Sequence, residues 1–208
     1  MLKIIIASHN KGKVEEFNEM FKHLNFEVVS LLDYPEIDEV EETGDSFEAN
    51  ARLKAETIAQ QLGHITLADD SGLVVPALNG EPGIYSARYA GEDKNDQANN
   101  QKLLDKMKDL QASDRQAYFN STLVLAYPNS ESLVVEGIVE GVILEKELGE
   151  GGFGYDPLFY YPPLMKSFGE LSLASKNKIS HRSQAMNKLN NQISKWLEGL
   201  GLNENHVD

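Results

Sequence analysis

Three groups of residues have the types and spacing to do chemistry. The first is Ser8-His9-Asn10-Lys11-Gly12-Lys13, where a short β-branched run gives way to a polar turn. Unpaired backbone N–H groups and the positive end of a helix dipole meet where a strand passes into a helix, and that setting suits a phosphate. Asn10 has an amide to donate, and Lys13 adds a charge on the first helical turn. The same residue types also serve as plain helix caps. The turn is not a P-loop, because the spacing G-x-x-x-x-G-K-[ST] is absent.

The second group is Asp69-Asp70, closing the apolar run Ile65 to Ala68. Adjacent side chains on extended chain point to opposite faces, so one of the two carboxylates enters a given cleft. An acid at the end of a central strand, at the mouth of an α/β sheet, is well placed for function. The alternative is a turn at Asp70-Ser71-Gly72, with the Asp side chain bonding its own backbone. Glu41 and Glu42 offer further carboxylates, and Mg²⁺ takes one or two of these along with waters and phosphate oxygens.

The third group lies late in the chain: Phe153-Gly154-Tyr155-Asp156, Lys176 and Ser180-His181-Arg182. An aromatic ring can stack on any base, and an Arg or His can donate to a 6-oxo group. Taken singly, Phe153 also reads as core, Lys176 as solvated and Ser180 as the cap of the last helix. The glycines of Gly149 to Gly154 are no dinucleotide fingerprint, because an apolar run follows them and not a helix. They let the backbone close tightly against something flat.

The elements that must position these groups follow from periodicity. Leu2 to Ala7 predicts a buried strand, and Val14, Phe17, Met20, Phe21 and Leu24 share one face of a following helix. Phe26 to Leu32 predicts a second strand, with an acidic loop after it. Asp45 or Ser46 caps a helix whose apolar face carries Phe47, Ala51, Ala55, Ile58 and Leu62, and Glu48 suggests a capping box with Asp45. Asp96 to Leu110 reads as a helix burying Leu103, Leu104, Met107 and Leu110. Gln116 to Tyr127 and Ser132 to Leu144 read as a strand pair, Pro157 to Tyr161 as a further strand, and Ser180 to Leu200 as an amphipathic last helix. The alternation predicts an α/β protein with a mixed sheet.

Composition narrows the function classes. The chain has 208 residues, 41% hydrophobic and 25% charged, which suits one domain or one domain with two lobes. It has no cysteine, so disulfides, thiolate nucleophiles and Cys-ligated zinc are excluded. A net charge of −14 argues against a nucleic-acid partner, though a small phosphate compound needs only a local cluster of cations. Carboxylates crowd Asp33 to Glu48, whereas Lys166 to Lys195 is rich in Lys and Arg. The first apolar run is too short for a signal peptide or a membrane span, and no later run is long enough. A cytoplasmic location, away from membranes, is the expectation.

Taken together and in order, the segments SHNKGK at 8–13, ETG at 42–44, FEANARLKA at 47–55, ADDSGL at 68–73, GEPGIYSAR at 80–88, FGYDP at 153–157 and ISHR at 179–182 resemble the inosine triphosphate pyrophosphatase family. The resemblance covers nearly the whole chain. It implies a single two-lobed α/β domain over residues 1–208, with a long mixed central sheet flanked by helices and a substrate groove between the lobes. It implies hydrolysis of non-standard purine nucleoside triphosphates (ITP, dITP, XTP) to monophosphate and pyrophosphate, with Mg²⁺ as cofactor and a homodimer as the assembly. By the same resemblance Ser8, His9, Asn10, Lys11, Gly12, Lys13 and Lys54 hold the triphosphate. Glu42 and Asp70 bind the metal, with Asp69 as a further candidate, and Asp70 accepts the proton of the attacking water. Ser71, Phe153, Gly154, Tyr155, Asp156, Lys176, His181 and Arg182 surround the nucleotide. Hypoxanthine and xanthine carry an acceptor at C6 where adenine carries a donor, so a donor from Arg182 or His181 would select for them. A pyrimidine-preferring relative and a nucleotide sensor without hydrolysis are the competing readings.

Overall fold

The computed structural model describes residues 2–22 and 26–202. Leu24, expected on the first helix, lies outside the described residues. The elements run β1 (Leu2–Ile6), α1 (Lys11–Phe21), β2 (Phe26–Ser30), α2 (Phe47–Leu62), β3 (Ile65–Val74), α3 (Asp96–Met107), β4 (Gln116–Ala126), β5 (Leu133–Ile143), β6 (Phe159–Tyr161), β7 (Lys166–Ser167), α4 (Leu173–Lys176) and α5 (His181–Gly199). They form a seven-stranded sheet in the order β2-β1-β3-β4-β5-β6-β7. It is mixed, as expected: β1 runs parallel to β2 and β3, and β6 runs antiparallel to β5 and β7.

The chain divides into two compact units. The first is Met1–Asp70, Ser121–Gly137 and Arg182–Asp208, and the second is Ser71–Asn120 and Ile138–His181. In the first unit the two-residue period of the strands sorts side chains onto two faces. Ile4, Ile6, Ile65, Leu67, Leu123 and Leu125 pack with Val14, Phe17 and Phe21 of α1 and with Ala185, Met186, Leu189 and Ile193 of α5. Ile5, Ala7, Ala68, Val124 and Ala126 pack on the other face with Ala51, Ala55, Ile58 and Ala59 of α2. The small residues of α2 let it lie close on the strands. The second unit has its own core, where Leu103 and Met107 of α3 meet Leu73, Val75, Phe119, Val139, Ile143, Phe159 and Phe168.

Several expectations shift in detail. Ser46, not Asp45, caps α2, its hydroxyl accepting from Ala49 N–H at 3.2 Å. Glu48 forms no box and pairs instead with Arg52 at 2.8 Å, one turn along. Helix α3 stops at Met107, leaving Leu104 and Leu110 only partly buried. The larger correction concerns β3. It does not turn at Asp70-Ser71-Gly72 but continues as strand to Val74. Asp, Ser and Gly are poor strand formers in isolation, so tertiary partners must hold them extended. Among the described residues no helix is long and apolar enough to cross a membrane.

Candidate functional site

Because β3 stays extended through its two acids, Asp69 and Asp70 face opposite sides of the sheet, and their surroundings differ accordingly. Asp69 continues the parity of Ile65 and Leu67, toward α1 and α5. Its carboxylate meets Lys13 Nζ at 2.8 Å, Arg182 Nε at 3.2 Å and the Ser121 hydroxyl at 2.7 Å. Arg182 in turn reaches Glu16 Oε2 at 2.8 Å, with both of these side chains at most 4% exposed. Burial alone would raise the Asp69 carboxyl, but Lys13 and Arg182 outweigh it and hold the group well below the usual carboxylate range.

Asp70 faces α2. Its Oδ1 lies 3.3 Å from Lys54 Nζ, which also contacts Glu42 Oε1 at 2.6 Å. Its Oδ2 is buried without a hydrogen-bond partner. Burial pushes the Asp70 carboxyl up, Lys54 and Lys13 pull it partly back, and Glu42 and Asp69 add to the rise. For Lys54 burial works against the charged form, yet Asp70 and Glu42 prevail and keep the ammonium protonated. Two neighbouring acids are thus driven apart in proton affinity, a pattern that separates a structural carboxylate from a reactive one.

The first turn sits beside both. Asn10 caps α1, its side chain accepting from Lys13 N–H at 3.1 Å, so the cap reading of that residue holds. Ser8 accepts from Asn10 N–H at 3.1 Å, His9 and Gly12 are half-buried, and Lys11 is exposed. Strand β1 pairs with β3 only as far as Leu67, whose carbonyl accepts from Ala7 N–H at 2.8 Å. The next carbonyl on that edge, of Asp69, meets Lys54 Nζ at 3.0 Å and Lys13 Nζ at 3.4 Å. The two lysines expected at the triphosphate therefore share one main-chain acceptor.

Glu42 lies on chain without regular structure, and its position depends on α2. The N–H of Gly44 donates to Asn50 Oδ1 at 2.8 Å, and a Cβ on Gly44 would come within 2.7 Å of Ala49 Cβ and of that same oxygen. Glu41 is exposed. Whether Glu42 and Asp70 suit Mg²⁺ can be judged from the donor set. They are two hard oxygen ligands on one side of β3, and a buried Asp70 oxygen lacks a partner. That fits an ion which takes one or two carboxylates and fills its remaining positions with water and phosphate. Asp69 fits less well, since Lys13, Arg182 and Ser121 already engage both of its oxygens.

The aromatic cluster belongs to the second unit. Lys176 is not solvated: it is 2% exposed, pairs with Asp156 Oδ2 at 2.6 Å, and lies 4.6 Å from the centre of the Phe153 ring. Asp156 Oδ2 also accepts from Phe153 N–H at 2.9 Å. A Cβ on Gly152, whose φ is +75°, would overlap that carboxylate, and one on Gly149 would overlap the backbone of Gly169. The glycines therefore close the loop on its own chain. Ser71 is half-buried, Ser180 is buried just before α5, and the His181 ring stacks on Phe119 with centroids 4.8 Å apart. Tyr155 is a core residue whose hydroxyl donates to Ser86 O at 2.8 Å. The structure thus gathers Lys13, Asp69 and Arg182 in one cluster, Glu42, Lys54 and Asp70 in a second, and Phe153, Asp156 and Lys176 in a third. Arg182 is grouped with carboxylates of the first unit, Glu16 and Asp69.

The Ham1 family model matches residues 4–192. The chain belongs to the Ham1 family. A curated Bacillus cereus protein named dITP/XTP pyrophosphatase is 49% identical over 201 residues, covering 96% of this chain and 98% of its own length. The structure of the Staphylococcus aureus Ham1 protein is 47% identical and superposes with a TM-score of 0.81, over 95% of this chain and 99% of that one. That of a nucleoside-triphosphatase, also named dITP/XTP pyrophosphatase, from Mycobacterium abscessus is 41% identical with a TM-score of 0.73, over 90% and 98%. Within this Ham1 chain, sequence reasoning missed Glu16, Asn50, Phe119 and Ser121. Only Asn50 carried a local signal, a polar residue on the apolar side of α2 one turn before Lys54.

Proposed function

We propose that the chain hydrolyses dITP, XTP and ITP to the monophosphate and pyrophosphate, with Mg²⁺, as a cytoplasmic homodimer. The names and full-length similarity of the relatives support the reaction and the substrate class. The homodimer rests on the family resemblance. The observation that carries the chemistry is Asp70 Oδ2, buried and unpartnered beside Lys54 and Glu42. Glu42 and Asp70 would hold Mg²⁺, which when bound neutralises triphosphate charge and makes a coordinated water more acidic. Asp70, its proton affinity raised by burial, accepts the proton of the water that attacks the α-phosphorus. The bond from that phosphorus to the bridging oxygen breaks, and pyrophosphate leaves with the electron pair. Lys13 and Lys54 offer their ammonium groups to the departing oxygens, aided by N–H groups of the Ser8 to Lys13 turn.

Phe153 supplies a face for the base, with Lys176 and Asp156 setting its environment. Two donors are considered for O6: His181, whose ring stacks on Phe119 in the unit that also carries Phe153, and Arg182, whose Nε and Nη1 already engage Asp69 and Glu16. A site built on a polar match discriminates by up to about 10⁴-fold. His181→Ala is therefore expected to narrow the ITP-over-ATP ratio of kcat/KM more than Arg182→Ala does. An unchanged ratio in a folded His181→Ala protein would count against this assignment.

The function itself is tested by release of pyrophosphate from ITP, dITP, XTP, ATP, GTP and dTTP, with Mg²⁺ and with EDTA. Fast release from ITP, dITP and XTP, abolished by EDTA, is the expected result. Orthophosphate as product, or preference for dTTP, would overturn the site assignment, and tight ITP binding without turnover would mark a sensor.

A further inference from the structure

Helix α3 carries two polar residues one turn apart whose side chains both end on Gly154, in the middle of the aromatic loop. Asp96 Oδ2 accepts from Gly154 N–H at 2.7 Å. Asn100 Nδ2 donates to Gly154 O at 3.2 Å and to Glu147 Oε1 at 2.8 Å. Both peptide groups flanking Gly154 are therefore held from the same helix. The Gly154 φ of +61° is a left-handed conformation that a side chain would strain. Phe153, next in the chain, has its own N–H on Asp156 and its ring under Lys176. With the peptides on either side fixed, little freedom remains in where that ring stands. Asn100 is 4% exposed and its Oδ1 is buried without a partner, a cost that an apolar residue at this position would avoid. The amide is thus kept for what its Nδ2 holds. Neighbouring Asn99 does the same for a different loop, accepting from Ala90 N–H at 2.6 Å and donating to Ala87 O at 3.0 Å.

We propose that Asp96 and Asn100 are positioning residues for base recognition: they clamp the Gly154 peptides and thereby set the Phe153 ring on which the base stacks. This rests on the reading above that the Phe153 loop receives the base. The clamp acts on the ring before the substrate arrives, so its loss should weaken binding of the ground and transition states alike. That signature is a higher KM at nearly constant kcat.

The test uses the full chain with Asp96→Ala, Asp96→Asn, Asn100→Ala and, as control, Gln101→Ala, whose amide lies on the exposed side of α3 against Asp105 at 2.9 Å. Exchange of the Gly154 amide proton is followed in the free protein by NMR, and kcat and KM are measured for dITP and ATP. In Asp96→Ala the Gly154 amide should exchange at least tenfold faster and KM for dITP should rise about tenfold, the scale of one lost hydrogen bond to a charged group. Asn100→Ala should raise KM in the same way, and Asp96→Asn, which keeps an acceptor oxygen, should recover most of the loss. Gln101→Ala should match the unaltered chain. Unchanged exchange at Gly154 in Asp96→Ala would overturn the clamp. Faster exchange with unchanged KM would overturn its role in base recognition. A wild-type chain that turns over no inosine or xanthosine triphosphate would remove the parent reading instead, whatever the exchange rates.

Discussion

Asp70→Asn is expected to fold and to lose about 10²-fold or more in kcat, the usual range for a positioned acid or base. The substitution keeps shape and volume. Lys54 retains Glu42 at 2.6 Å and the Asp69 carbonyl at 3.0 Å, so the buried ammonium is not left bare. Asp70 Oδ2 has no hydrogen bond in the free protein, so none is lost there. What disappears is the group able to take a proton and one of two negative charges beside Lys54. The loss should therefore fall mainly on turnover, with a smaller effect on melting temperature. Steady-state kinetics at saturating Mg²⁺ and a thermal melt of the same preparation check this. Near-normal kcat in a folded protein would remove Asp70 from the chemistry.

The neighbouring acid should behave in the opposite way. Asp69→Ala removes a carboxylate that is 1% exposed and leaves Lys13 and Arg182 with one negative partner fewer. Breaking a buried pair in this manner costs about 3–5 kcal/mol. The lower end applies here, because Lys13 is 16% exposed and can turn toward water, and Arg182 keeps Glu16. A cost of about 3 kcal/mol corresponds to a fall in Tm of roughly 6–12 °C for a chain of this size. The pH dependence has a definite sign. The folded Asp69 carboxyl lies below its unfolded value, so its contribution is complete above about pH 4 and is lost as pH falls through the folded value. Wild type should lose stability into acid more steeply than Asp69→Ala. A Tm within 2 °C of wild type at neutral pH would show that Asp69 does not hold this cluster.

These opposite roles show what the sequence made legible. Alternation along extended chain already implied that Asp69 and Asp70 part company, and that inference carries the site. The length of the strand did not follow, because Asp-Asp-Ser-Gly has local turn chemistry and is held straight by partners far along the chain. Lys13 is 56 residues from Asp69 and Arg182 is 113. Arg182 reads in the sequence as a donor to O6 of the base, and its pair with Glu16, 166 residues away, is a contact that no local pattern announces. Asn10 could be read as a cap or as a phosphate ligand, and the structure shows its Oδ1 capping α1, a role that does not use the amide N–H groups of the phosphate reading. The clamp on Gly154 was equally out of reach, since Asp96 and Asn100 read as ordinary polar positions of an amphipathic helix.

The early end of β1 has a consequence of its own. A parallel neighbour continuing past Ile6 would have offered its amides to the Asp69 carbonyl, and in its place stand two ammonium groups from helices on opposite faces of the sheet. The lysines complete the backbone of the sheet as well as the site. Reactivity and architecture are therefore soldered at a single oxygen atom, and drift at either lysine would be felt by both.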